Sequence, residues 1–129
     1  MSPRLKVLSF ALLAAFAAGE AGACGVCTDD KVAASYDHAV LTHARERGQV
    51  VVFAEPGGVA DPAAAMKRVA AAAAHVRGID PASVRSSAAP ASIGFALDTK
   101  VARPEQALKT LATAAKVPGL QLATLRVLQ

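Results

Sequence analysis

An α+β fold built on a four-stranded antiparallel sheet is what this sequence predicts, and three observations predict it. Helix and strand signals follow one another as helix, then β-α-β-β-α-β. The segments between them are short, so successive elements pack beside one another. The two most apolar strand segments, 49–54 and 92–97, fall where that order puts the middle of the sheet.

The chain opens with a leader. Met1 to Lys6 carries Arg4 and Lys6 and no acid, and Val7 to Ala18 is an apolar run of 12 residues. Ala21-Gly22-Ala23 then offers the small side chains that signal peptidase reads, which predicts cleavage before Cys24. A membrane-spanning helix needs roughly 20 apolar residues, so this run is too short for one. Residues 1–23 therefore read as a secretory signal peptide, and the protein as exported, periplasmic or secreted. Cys24 at the cleavage point also suits lipid attachment and so a membrane tie, although lipoprotein signals carry Leu where this chain has Ala21.

Removing residues 1–23 takes away Arg4, Lys6 and Glu20, leaving 106 residues with twelve basic and nine acidic side chains, a net charge of +3. That length supports one core. The basic residues are scattered, and with one Tyr, four Phe (two of them in the leader) and no Trp in the full chain there is little to stack on bases. Nucleic acid is accordingly not an expected partner.

Residues 24–48 form a cysteine-bearing segment and an N-terminal helix, and 49–129 the sheet domain. Thr28-Asp29-Asp30 supplies an N-cap and two acids that suit the positive end of a helix. The pattern predicts one helix from there to Arg47, stopped by Gly48, with Val32, Tyr36, Ala39 or Val40, and His43 following the helical period loosely. Gln49–Glu55 is a continuous apolar run rich in valine, as a central strand requires. Asp61-Pro62 opens a helix that stops at Gly78. Residues 83–87 and 92–98 flank Pro90 as a hairpin. Pro104-Glu105 opens the next helix, closed near Pro118-Gly119, and 120–128 partly alternates, as a strand with one covered face does. The result is a ferredoxin-like βαββαβ sheet with both of its helices on one face, preceded by an extra N-terminal helix.

Over about 49–128 this order, with FALDTKVARPEQALKTLATAAK at 95–116, resembles the heavy-metal-associated domain of metallochaperones and metal-pumping ATPases. Asp98 stands where that family ends its third strand, Pro104-Glu105 where its second helix opens, and HVRGID (75–80) where its first helix turns. The resemblance implies a soft-metal carrier. In that family two cysteines sit between the first strand and first helix, but here that loop, residues 54–66, contains none.

Both cysteines outside the leader instead form Cys24-Gly25-Val26-Cys27. Two thiolates at this spacing reach one thiophilic ion such as Cu, Zn or Hg. His38, His43, His75 and the amine freed at Cys24 are further candidate ligands. His38 and His43 stand five residues apart, which separates them by about 140° around a regular helix. A closed site using both is therefore disfavoured. The same motif before a capped helix also resembles a thioredoxin-type redox centre, because a helix N-terminus favours a thiolate. No strand precedes it, as one does in thioredoxins. A third reading is a local disulfide stapling the N-terminus.

Other residues carry blander readings. His75 suits the negative end of its helix, Met66 suits the core, and Glu55 suits a solvated loop. No Ser-centred elbow and no Gly-Lys-Ser/Thr phosphate loop occurs. An enzyme is expected only through the thiols. The reading that follows is an exported small domain that binds or carries a thiophilic metal ion through Cys24 and Cys27, with one histidine (His38 or His43) or the terminal amine as a candidate third ligand. The alternatives are a non-catalytic periplasmic module for a protein partner, with a structural disulfide or a lipidated Cys24, and a thiol-disulfide redox protein.

Overall fold

The computed structural model describes residues 27–129, so the expected leader, its expected cleavage point and Cys24 lie outside the described residues. The elements are α1 (Thr28–Ser35), α2 (His38–Glu46), β1 (Val50–Gly57), α3 (Pro62–Ala73), β2 (Arg85–Ala88), β3 (Ala91–Leu97), α4 (Pro104–Ala114) and β4 (Gln121–Leu128). A short 3₁₀ turn, Pro81–Ser83, precedes β2. The strands form one sheet in the order β2-β3-β1-β4. Every neighbouring pair is antiparallel, and β1 and β3 are central, as their apolar sequences require. No helix among the described residues is long and apolar enough to cross a membrane.

Side chains alternate across β1 and build two cores. Val50, Val52 and Ala54 face α3 and α4, where they meet Met66, Val69, Ala73, Leu108 and Leu111 along with Ile93, Phe95 and Leu97 of β3. Val51 and Phe53 face the other way, onto Val32 of α1 and Val40, Leu41 and Ala44 of α2. Fully burying one Val, Leu or Phe side chain contributes about 1.5–3 kcal/mol. Both faces of the central strands are therefore worth covering. The β-α-β-β-α-β unit has its two helices on one face, as expected, but α1 and α2 add a layer on the second face and depart from a plain ferredoxin-like arrangement.

The single N-terminal helix expected over 28–47 is two helices. In one straight helix Leu41 would point about 180° away from Val32, nine residues earlier. The chain breaks instead. Tyr36 is extended (φ −78°, ψ 135°), and Asp37 caps α2 by accepting from the Ala39 N–H at 2.9 Å. The bend lets Val32, Val40, Leu41 and Ala44 all reach the sheet. Thr28 is the first residue of α1, not its cap; Cys27 occupies the cap position.

Two close approaches fix the packing. Gly94 of β3 lies opposite Phe53 of β1, and a methyl group there would stand 2.9 Å from the Phe53 ring and 3.1 Å from the Ser35 carbonyl of α1. Beside it, the Ser92 hydroxyl donates to Ser35 Oγ at 3.2 Å, so the buried polar pair under α1 is satisfied. At the other end of the molecule Gly58 (φ +74°) and Gly119 (φ +76°) bring the β1–α3 loop against the α4–β4 turn. β3 outruns β2, which pairs only with Ala91–Gly94. Beyond it the Ala96 N–H donates to Ser83 Oγ at 2.8 Å, and the Ala96 carbonyl accepts from the Asp80 N–H at 3.0 Å. No orphan is left on that edge of β3.

Candidate functional site

Cys27 stands at the start of α1, and its carbonyl accepts the first helical bond, from the Lys31 N–H at 3.2 Å. Its thiol is exposed and free among the described residues. Cys27 Sγ lies 3.3 Å from Asp30 Oδ2, with the thiol as donor. Asp29 and Asp30 occupy the first helical turn, as the sequence indicates.

α1 is tied to the sheet along its length, which fixes where Cys27 sits. Asp29 pairs with Arg126 of β4. Lys31 donates to Glu55 of β1, and both side chains are more than two-thirds covered (26% and 31% exposed). Val32 and Ser35 are buried beneath the helix. Tyr36 stacks on Phe53, ring centroids 6.5 Å apart. Exposed ion pairs contribute roughly 0–1 kcal/mol each, so the buried Val32 and the Ser35–Ser92 pair hold the helix more firmly than the surface charges do.

The histidines lie elsewhere. His38 opens α2, at the far end of α1 from Cys27, and an eight-residue helix is about 12 Å long. Its Nδ1 is 3.2 Å from the Tyr36 hydroxyl. His43 is on the exposed side of α2, with Nδ1 3.8 Å from Glu46 Oε2. His75 is exposed just past the end of α3, and Met66 is in the core. The structure thus brings neither His38 nor His43 to Cys27. Asp30 is the neighbour it does bring, and the (i, i+3) spacing on a helix is the signal that could have found it. Among the described residues no three His, Cys, Asp or Glu side chains gather as a metal-holding group.

The loop where the heavy-metal-associated family keeps its cysteines is here the end of β1 and the start of α3. Glu55 is engaged by Lys31, and Asp61 caps α3 by accepting from the Ala64 N–H at 3.1 Å. Glu55 is therefore not the solvated loop acid expected.

Asp37 sits where α1, α2 and β2 meet. Arg85 Nε donates to its Oδ2 at 3.0 Å, and the Ala39 N–H to Oδ1 at 2.9 Å. The Arg85 bond first, then the Ala39 bond, hold the Asp37 carboxyl below its ordinary pKa. Arg85 also donates to the Ala82 and Val84 carbonyls, each at 2.9 Å, so it is a strut between layers. A hollow of about 940 Å³ runs along α4 and β4, is not lined by Cys27, and opens to solvent.

No protein-family model, no curated protein and no solved structure matches this chain. The fold and the placement of Cys27 therefore rest on the chain's own physics.

Proposed function

We propose that this chain is an exported small domain that binds or carries a thiophilic metal ion through Cys24 and Cys27. The observation that carries the reading is the exposed Cys27 thiol, three residues after Cys24, at the start of a helix tied to the sheet. Two thiolates at this spacing reach one soft ion, and sulfur suits Cu(I), Zn(II) or Hg(II). The anchored helix supports a carrier role, because one half of the motif is held in place before metal arrives. In this reading Cys24 and Cys27 are the ligands. Asp30 is the nearest described group that could accept a hydrogen bond from the loaded site or, for Zn(II), offer an oxygen.

Anaerobic titration with Cu(I) against a chromophoric competitor tests the reading. The wild-type protein should take up one equivalent, and Cys24→Ser/Cys27→Ser should take up none at the same competitor concentration. If the double variant binds Cu(I) as tightly as the parent, the reading is wrong. The second reading, a module for a protein partner, gains support from the exposed outer edge of β4.

A further inference from the structure

The fold gathers basic side chains that the sequence scatters. Arg77 follows α3 and Lys100 follows β3, yet both line one open hollow of about 510 Å³ together with His75. Gln106 and Thr110, four residues apart on α4, line it too. No carboxylate does. Glu105, the acid in the first turn of α4, lines the α4–β4 hollow instead. Among the described residues none of His75, Arg77 and Lys100 forms an ion pair, and all three are exposed.

The backbone beneath these side chains is fixed. The Gly78 carbonyl accepts from the Asp98 N–H at 2.8 Å, and Ile79 bridges Leu97 at the same join. At Gly78 (φ +93°) a Cβ would lie 3.2 Å from Val101, so the turn after α3 rests directly on the turn before α4. Asp98 winds that second turn. Its Oδ1 accepts from the Lys100 N–H at 2.9 Å, and its carbonyl from the Val101 N–H at 3.0 Å. At the end of α3 the Ala72 and Ala73 carbonyls accept from the His75 and Val76 N–H groups, so the His75 ring is not needed to satisfy them. A ligand here orders side chains only, because the turns that carry them are already joined.

Two cations and three further donors, the His75 imidazole, the Gln106 amide and the Thr110 hydroxyl, suit an anion with several oxygens. A guanidinium matches phosphate geometry, and a lysine binds phosphate as a point charge. Val101 lines the same hollow and is 46% exposed, an unusual state for a large apolar side chain of this molecule. An apolar wall beside the cations suits an organic group attached to the anion. We propose that this hollow is a phosphomonoester site, in which His75, Arg77 and Lys100 hold the phosphate and Val101 meets the group esterified to it. A soluble ester and the headgroup of a phosphomonoester lipid both carry that chemistry. The inference does not depend on the metal reading, because it uses neither cysteine.

The test uses protein purified as cells accumulate it. Phenyl phosphate, titrated calorimetrically, probes the soluble source; phosphatidylcholine vesicles with and without phosphatidic acid probe the lipid. Heat without vesicle binding assigns the site to a soluble ester, and binding only to vesicles that contain phosphatidic acid assigns it to the lipid. In either case Arg77→Gln and Lys100→Gln should each weaken binding about fivefold or more. Lys67→Gln removes the same charge from the hollow beside the β1–α3 loop and should leave binding unchanged. Inorganic phosphate should bind more weakly than phenyl phosphate, since it lacks the group that meets Val101. All three substituted positions are exposed, so circular dichroism should show the variants folded. Binding of neither probe, a loss in Lys67→Gln equal to that in Arg77→Gln, or inorganic phosphate held as tightly as phenyl phosphate would overturn the proposal.

Discussion

At Gly94 the sheet and α1 approach closely. A Cβ there meets the Phe53 ring at 2.9 Å and the backbone oxygen of Ser35 at 3.1 Å. A carbonyl held in α1 cannot yield as a flexible side chain could. Gly94→Ala should therefore destabilise the fold by about 1–3 kcal/mol, the usual cost of overpacking, seen as a lower denaturant midpoint. Asp37 makes a different prediction. Its folded carboxyl has a depressed pKa, so its stabilisation is present above the unfolded value near 3.9 and fades as pH falls through the lower folded value. Wild type should melt above Asp37→Asn at pH 6, and the gap should close on acidification; a gap constant down to about pH 2 would contradict the Arg85 pairing. Asp37 was legible as a polar residue among helix formers, but its role as a cap was not. What decided it was the angle between Val32 and Leu41, which only a break can reconcile with one sheet face. Gly94 gave less warning, since nothing in the sequence shows that a helix carbonyl lies over it.

Among the elements, those of the β-α-β-β-α-β unit were the most legible, because each carried its own punctuation. Asp61-Pro62, Pro90, Pro104 and Gly119 mark ends that the structure keeps, whereas α3 stops at Ala73, short of the Gly78 expected to end it. The helix layer on the second face was readable in principle from β1 itself. Val50-Val51-Val52-Phe53-Ala54 is apolar without alternation, and a strand needs that only when both of its faces are covered. α2 meets this need with Leu41, which is 6% exposed. Leu41→Ala should cost about 2–5 kcal/mol in urea unfolding, as deletion of a buried leucine does. A surface-like loss below about 0.5 kcal/mol would mean that α2 does not pack on the sheet in solution. The β1–α3 loop makes a parallel case. A Cβ on Gly58 would lie 2.2 Å from the Gly119 carbonyl oxygen at a φ of +74°, so Gly58→Ala should lower the melting temperature more than Gly48→Ala, where nothing lies within 4 Å.

At the scale of the whole molecule the described residues fold as three layers, with Cys27 at one end of the helix pair that closes the second face. Removing α1 and α2 should expose Val51, Phe53 and Ala96 as one apolar patch, and the remainder should bind a hydrophobic dye or precipitate. The candidate site was only partly legible. The spacing of Cys24 and Cys27 was plain, but the orientation of Cys27 relative to His38 depends on the break at Tyr36-Asp37. The most direct measurement is the native intact mass of the protein as cells accumulate it, purified anaerobically. The account predicts a chain beginning at Cys24 with both thiols reduced and one copper, zinc or mercury ion, and no metal on Cys24→Ser/Cys27→Ser. A metal-free disulfide, or an ion retained by the double variant, would contradict it.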